Sequence, residues 1–355
     1  MERRLGALGM AVALGAAIGC EARPLMPTSG GTGDEVPACG LGVSVTEISL
    51  TGGAPALQPL SITAGADGNL WITEVYVNAI GRLATDGRLD SFPLPSSMRR
   101  AQGIALGPDG NVWFAEAGAM DGGIGRITPD GTILEFPLPD TPLQTNRWPT
   151  AVIAGPNGNI WFADPTGNNI GQMSVEGVVL GDSFLPATSD WRDTPSTIAV
   201  GADGGVWFGE VNRVGRMTSA GVATFYSLPP FEGAGAAGNI ISGPDGNLWW
   251  NGPSLDRLRR ISLPSPDDSQ LEITDFLPPG YNPNTPPSVG PMVVGPDGNI
   301  WYASGLNMVC ATTAGRFHEI PIPSGGSAFA ITTGPDGALW FTEPSFERVG
   351  RISLN

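Results

Sequence analysis

The sequence predicts an all-β protein built from seven similar sheets, and two observations support that prediction. The motif Gly-x-(Asp/Asn)-Gly-x-(aliphatic)-Trp occurs seven times, at spacings from 39 to 52 residues. The 355-residue chain also contains 52 glycines and 34 prolines, yet 41% of it is hydrophobic. Because that much apolar surface can form a core, regularly repeated turns explain the glycines and prolines better than disorder does. The motif tryptophans are Trp71, Trp113, Trp161, Trp207, Trp249, Trp301 and Trp340.

Each repeat is predicted to form four short strands. In the second repeat, residues 104–106 and 112–116 flank a Gly-Pro-Asp-Gly turn, and residues 124–128 and 132–137 flank Pro129-Asp130-Gly131. Proline presets φ in such turns, and the last glycine accepts a positive φ. One repeat therefore predicts one antiparallel sheet. Seven sheets of this period bury their faces by radial stacking, as a seven-bladed β-propeller.

The ring is predicted to close through the N-terminal end of the domain. The seventh repeat has only three strands before the sequence ends, whereas residues 44–50 read as an outer strand that precedes the first repeat. This strand is expected to complete the seventh blade, because an unpaired edge would otherwise remain. We therefore expect residues 44–355 to form one propeller domain.

The N-terminal segment predicts export. Arg3 and Arg4 precede an uncharged, mostly apolar run over residues 5–18, which is typical of a signal peptide and too short for a permanent membrane helix. The run ends in Ala17-Ile18-Gly19-Cys20, which resembles a bacterial lipobox. We expect residues 1–19 to be removed, Cys20 to be lipidated, and residues 20–43 to tether the domain to the cell envelope. In the alternative, the signal peptide is an ordinary one and Cys20 is incidental.

Composition excludes several classes of function. The formal net charge is -16 and all 18 basic residues are arginines, so a nucleic-acid partner, a Schiff-base lysine and a Walker-type phosphate loop are not expected. Cys39 and Cys310 remain beside Cys20; an oxidising compartment would permit a disulfide between them, a question the sequence leaves open. They have no zinc-ligand spacing. We expect a monomer.

Two aromatic and cationic pairs suggest a ligand site. Arg147-Trp148 precedes the third repeat and Trp191-Arg192 precedes the fourth, in loops on the face of the ring where loop length varies. An aromatic plate beside a cation suits a flat polar or acidic organic ligand. In the alternative, both tryptophans pack onto their own loops.

Carboxylates recur at one position of the repeats. The third residue after the motif tryptophan is acidic in five repeats, at Glu74, Glu116, Asp164, Glu210 and Glu343. We expect mainly a solvated rim there, in which Glu116 and Glu210 contact a ligand. In the alternative, Glu74 and Glu343 bind Mg²⁺ or Ca²⁺. His318, the single histidine, falls on the predicted outer strand of the sixth blade, so we expect no catalytic role for it.

The motifs at residues 70–74, 112–116 and 339–343, each followed by a (Val/Ile)-Gly-Arg-(Leu/Ile) strand, resemble the virginiamycin B lyase family over about residues 44–355. The resemblance implies a seven-bladed propeller. It also implies, in the family's antibiotic-inactivating members, a magnesium-dependent elimination that opens a streptogramin ring at its ester bond.

The same resemblance implies a histidine base in a Pro-His-(Gly/Ala)-Ile motif that leads into an innermost strand. None of the seven matching positions has a general base of suitable pKa. They are occupied by Leu60, Gln102, Thr150, Ser196, Gly238, Gly290 and Phe329.

These observations favour a lipid-anchored module that binds a small molecule, a glycan or a protein through its loop face. The alternative is an enzyme, either a metal-dependent lyase or a lactone hydrolase.

Overall fold

The computed structural model describes residues 39, 42–50, 56–97, 99–118, 122–140, 146–186, 194–228, 238–252, 257–263, 271–278 and 289–354. Within these ranges the chain forms seven four-stranded antiparallel sheets and one short 3-10 helix, Pro344–Phe346. The predicted signal peptide, Cys20 and most of the predicted tether lie outside the described residues. None of the described helical segments has the length and hydropathy that a membrane crossing requires.

The strands follow the chain in blade order. Blade I contains β2 (Pro59–Ala64), β3 (Leu70–Glu74), β4 (Ala79–Leu83) and β5 (Leu89–Pro93). Blade II contains β6 (Arg99–Leu106), β7 (Val112–Gly118), β8 (Gly123–Ile127) and β9 (Ile133–Pro137). Blade III contains β10 (Ala151–Ala154), β11 (Ile160–Asp164), β12 (Asn169–Met173) and β13 (Val179–Phe184). Blade IV contains β14 (Thr197–Val200), β15 (Val206–Gly209), β16 (Arg213–Met217) and β17 (Ala223–Ser227).

The remaining three blades complete the ring. Blade V contains β18 (Asn239–Ser242), β19 (Leu248–Asn251), β20 (Leu258–Ile261) and β21 (Ile273–Phe276). Blade VI contains β22 (Val289–Val294), β23 (Ile300–Ser304), β24 (Asn307–Ala311) and β25 (Phe317–Pro321). Blade VII contains β26 (Ile331–Thr333), β27 (Leu339–Glu343), β28 (Arg348–Ser353) and, as its outer strand, β1 (Ser44–Ser49).

The blades close into a ring at β1. The first strands of successive blades contact one another all the way round, including β26 with β2, so they are the innermost strands. β1 pairs antiparallel with β28, from Ser44 opposite Ser353 to Ser49 opposite Arg348. The all-β seven-bladed propeller and its closure by the N-terminal strand are therefore confirmed.

The repeated motif forms the tight turn between the first two strands of every blade. In blade I the Nε1 atom of Trp71 donates a hydrogen bond to Oδ1 of Asp67 over 3.1 Å. A Cβ on Gly65 would lie 2.4 Å from that same Nε1, and Gly68 has φ +77°, so both positions require glycine. The motif tryptophans are buried, and they pack the blades against one another.

A disulfide joins the segment before β1 to blade VI. Cys39 and Cys310 are bonded although 271 residues separate them, which answers the question that the sequence left open. Cys310 lies opposite Trp301 in the sheet, where blade I has Arg82 opposite Trp71. The predicted tether is thus held to the propeller at Cys39, ahead of β1.

The Cys39→Ala variant should unfold with a free energy lower by about 2 to 5 kcal/mol than the oxidised wild type, because the disulfide restricts a very long loop in the unfolded chain. Denaturant unfolding with and without dithiothreitol measures this. The reductant should destabilise the wild type and leave the variant unchanged. Equal stability of the oxidised and reduced wild type would contradict a stabilising role.

Candidate functional site

The carboxylates at the ends of the second strands are buried. Glu74, Glu116, Asp164, Glu210 and Glu343 are each 0% exposed. The expected solvated rim is therefore wrong. The second strand of each blade is covered on both faces by its neighbours, so a side chain at its end enters the interface between blades and loses contact with water.

A second acidic position explains how these carboxylates are accommodated. On the same face of the sheet, the third strand carries a glycine in five blades, Arg259 in blade V and Val309 in blade VI. The outer strand opposite this position carries an acid in blades II, III, V, VI and VII. In blade I, Gly81 lies between Ile72 and Ser91, and a Cβ on it would meet Oε1 of Glu74 at 2.4 Å. The missing side chain leaves room for the buried carboxylate to extend toward the outer strand. The sequence analysis did not identify these outer-strand acids, although they recur at one position of the repeat. They are Glu47, Glu135, Asp182, Asp275 and Glu319.

In blade III an arginine joins the two acidic positions. Nε of Arg147 donates to Oδ2 of Asp164 over 2.5 Å, and its two terminal nitrogens contact the oxygens of Asp182 at 3.0 and 3.2 Å. Arg147 is 0% exposed. Burial opposes its charge, but the hydrogen bonds that it donates to Asp182 and Asp164 outweigh burial and raise the pKa of Arg147. This single guanidinium therefore bridges the buried carboxylate of Asp164 and the outer-strand carboxylate of Asp182.

Blade II also places an arginine between its two acidic side chains, but the distances are longer. Nη1 of Arg99 lies 3.3 Å from Oε2 of Glu116 and 4.0 Å from Oε2 of Glu135. Burial, followed by the charge of Glu135, raises the pKa of Glu116 to about 8 despite the arginine. Burial thus favours the neutral form of Glu116, and the side chain offers no exposed surface to a ligand.

Blades IV and VII place their arginines on the third strand. Arg213 is paired with Glu210 and also stacks over the ring of Phe225 at 4.0 Å. In blade VII, Arg348 pairs with Glu47 at 2.9 Å, while Glu343 accepts a hydrogen bond from the Ser324 hydroxyl. Burial, together with the charge of Glu47, raises the pKa of Glu343.

Blade I offers Glu74 a hydroxyl in place of an arginine. The Ser91 hydroxyl donates to Oε1 of Glu74 over 3.0 Å, and Oε2 has no hydrogen-bond partner among the described residues. Burial raises the pKa of Glu74 to about 7, and the nearby carboxylate of Glu347 adds to the effect. Glu74 is thus a buried carboxyl with a raised pKa at the seam where the ring closes.

The predicted metal ligands lack converging partners. Glu74 is bonded to Ser91, and Glu343 to Ser324, each at its own blade. Across the described ranges, no three His, Cys, Asp or Glu side chains come together as a metal site. The described residues therefore offer no ready-made ligand set for Mg²⁺ or Ca²⁺, and Glu74 and Glu343 would have to give up their present hydrogen-bond partners to bind one.

Only one of the two predicted aromatic and cationic pairs, Arg147-Trp148, lies among the described residues. Trp191 and Arg192 lie outside the described residues, so their role stays a prediction. Trp148 is half-buried, and its backbone N–H donates to Oδ1 of Asp164 over 3.2 Å. Since the Arg147 guanidinium is buried and paired, a ligand at this point of the loop face could reach the Trp148 ring but not that guanidinium.

The seven positions matching the family's histidine lie where the chain enters the first strands, beside the axis. Leu60 and Gln102 are half-buried within β2 and β6, whereas Thr150 is buried just before β10. His318 is half-buried on β25, the outer strand of blade VI, opposite Cys310. Two strands separate β25 from the innermost β22. The expected outer-strand position of His318 is therefore confirmed.

Comparison with known proteins places the chain in a family. The family model described as "Virginiamycin B lyase family" matches residues 34–264, which is more than half of the chain. The protein is therefore a member of the virginiamycin B lyase family, built as a seven-bladed propeller.

Solved structures agree with this assignment. A streptogramin B lyase is 28% identical, with a TM-score of 0.75 over 88% of this chain and 98% of that one. A catalytically inactive histidine-to-alanine variant of virginiamycin B lyase from Staphylococcus aureus, solved with quinupristin, is 28% identical, with a TM-score of 0.74 over 88% and 100% of the two chains.

A curated relative matches only in part. Alditol oxidase from a Streptomyces species is 33% identical over 106 residues, which are 30% of this chain. This chain thus spans only 24% of the length of that relative.

The Glu74→Gln variant should change how stability depends on pH. The folded protein keeps the Glu74 proton up to a pKa of about 7, whereas the unfolded chain releases it near 4.5. Stability is therefore fully present below pH 4.5 and falls as the pH rises toward 7, by about 3 kcal/mol at 1.36 kcal/mol per pKa unit. Glutamine mimics the protonated carboxyl, so the variant should lose less stability between pH 5 and 8.

Denaturant unfolding of both proteins at several pH values measures the difference between the two curves. Asp90→Asn is the matched control, because Asp90 lies on the outer strand of the same blade, is only partly buried, and has a pKa lowered mainly by its hydrogen bond to Arg82. Parallel pH curves for Glu74→Gln and wild type would mean that Glu74 is not a buried neutral carboxyl.

Proposed function

We propose that this protein is a binding module on the virginiamycin B lyase scaffold and does not act as a lyase with an imidazole base. One observation carries the proposal: no imidazole occupies any of the seven positions that lead into the innermost strands. The only histidine of the chain, His318, is on an outer strand. The inactivity of the histidine-to-alanine variant of the Staphylococcus aureus relative supports the argument, because that enzyme depends on a histidine.

The loop face is the proposed binding surface. The turns on the opposite face are nearly invariant in length, whereas the loops that connect the blades vary widely. The second-strand carboxylates lie between the blades and are bonded there, so they contribute to the interior and not to a ligand site. Recognition of a small molecule, glycan or protein therefore falls to the loops.

The alternative is a metal-dependent lyase or a lactone hydrolase, and membership of the family favours it. Such an enzyme would need a base other than histidine and an ion bound by carboxylates that are now protonated or paired.

Purified protein with excess Mg²⁺ should leave quinupristin intact, because general acid-base assistance is typically worth about 10² to 10⁴-fold in rate and no positioned imidazole supplies it. Chromatography with tandem mass spectrometry follows the ring: elimination gives an isomer of unchanged mass, and hydrolysis adds one water. His318→Ala should give the same trace as wild type. Rapid opening that a chelator abolishes would establish the lyase alternative, and dependence on His318 would also contradict its remote position.

We also propose that the protein is exported and anchored through a lipid on Cys20. The Cys20→Ala variant should leave the membrane fraction and appear as soluble folded protein, since one lipid and a tether are the only proposed anchor. Fractionation followed by immunoblotting measures this, with Cys39→Ala as a control that should stay in the membrane fraction. A Cys20→Ala protein that still needs detergent for release would refute the anchor.

A further inference from the structure

Three neighbouring blades expose apolar side chains at equivalent loop tips. The loops between the second and third strands carry Leu306 in blade VI, Phe346 in blade VII and Tyr76 in blade I, which are 58%, 43% and 64% exposed. We refer to these three residues as the tip arc. The corresponding tips of blades III and IV, residues 165–168 and 211–212, expose no large apolar side chain. Exposed apolar groups that cluster in this way are typical of an interaction surface.

The first half of the tip arc is linked by the segment that leads into blade VII. The N–H of Ile322 donates to the carbonyl oxygen of Leu306 over 3.0 Å. Four residues later, a Cβ on Gly326 would lie 2.8 Å from the Phe346 ring, so the ring packs directly on the backbone there. Leu306 and Phe346 are thus held by the same short segment.

The second half is linked across the seam of the ring. The Glu347 carboxylate accepts hydrogen bonds from the N–H groups of Leu57 and Gln58, over 2.7 and 2.9 Å. The N–H of Tyr76 donates to the carbonyl oxygen of Leu57 over 3.2 Å. The three tips therefore belong to one hydrogen-bonded surface, already fixed before a partner binds, which lowers the entropy cost of binding.

The charge of this surface has one sign. In the segments that form it, residues 57–58, 75–78, 305–306, 322–327 and 344–347, Glu347 is the only charged residue. The arginine at their border, Arg348, is paired with Glu47 at 2.9 Å and so adds no free cation to this surface. With a net charge of -16 for the whole chain, the potential over the tip arc favours a cation.

We propose that the tip arc binds an extended basic peptide segment with apolar side chains. The apolar groups of such a segment pack on Leu306 and Phe346, and its cations interact with the faces of Tyr76 and Phe346 and with the negative potential. A peptide fits better than a small molecule because the three tips project into solvent, whereas small ligands require concave pockets. The inference rests on the proposed loop-face binding function and identifies its partner.

Binding is tested by fluorescence anisotropy with a labelled synthetic peptide of alternating arginine and leucine. The full-length protein should bind it, and a peptide of alternating glutamate and leucine should bind at least tenfold more weakly. Phe346→Ala combined with Tyr76→Ala should weaken binding of the basic peptide by about tenfold or more, as expected for truncated aromatic contacts. Higher salt should weaken it further.

The matched control is Leu180→Ala combined with Val222→Ala, two residues that are 52% and 61% exposed on the outer parts of blades III and IV. This control should bind like wild type, and its melting temperature together with that of the tip-arc variant should stay near the wild-type value. If the aromatic double variant fails to fold, the single variant Tyr76→Ser replaces it in the binding test, because that side chain projects into solvent and its loss should not affect folding. It should also weaken binding of the basic peptide.

Three results would overturn the proposal: equal binding of the acidic peptide, equal loss in the control variant, or loss with Trp148→Ala while the tip-arc variant binds normally. The last result would move the binding site to the Trp148 loop. The quinupristin assay tests the binding-module function, and the peptide assay tests the tip arc. Either proposal can therefore fail without the other.

Discussion

The structure depends on one hydrogen bond that is repeated in every blade. In all seven blades the motif tryptophan donates its Nε1 proton to the turn residue four positions earlier, an aspartate in six and an asparagine in blade III, over 2.8 to 3.1 Å. The bond satisfies the polar atom of a large ring that is otherwise buried between blades. The glycines around it follow from it, because the turn backbone must approach the ring and then reverse at positive φ.

The blades differ in how they neutralise a buried acid. Arg147 comes from the segment before the first strand of its blade, Arg99 from the start of the first strand, and Arg213 from the third strand. Ser91 supplies only a hydroxyl, and burial raises the pKa of Glu74 to about 7. A buried charge is tolerated when a partner and hydrogen bonds satisfy it, and a protonated acid needs less. The repeat thus retains the space for an acid in several blades, whereas the group that interacts with this acid differs from blade to blade.

This distribution of charge bears on function. The groups that a sequence comparison would assign to an active site are used here to hold the blades together. The loop face is left with aromatic and aliphatic tips, a half-buried tryptophan and no imidazole beside the axis. The protein therefore belongs to a family with lyases among its members, and recognition at its loop face is the role that we propose for it.

The sequence by itself determined the number of blades, the strands within each blade, the closure by residues 44–50 and the outer position of His318. These features are periodic, and a short motif with its turn is set by residues only a few positions apart. The tertiary structure alone decided that the rim carboxylates are buried, that Arg147 pairs with acids 17 and 35 residues away, and that Cys39 bonds Cys310. Burial and pairing depend on which blade faces are stacked, and such long-range contacts leave no local pattern in the chain.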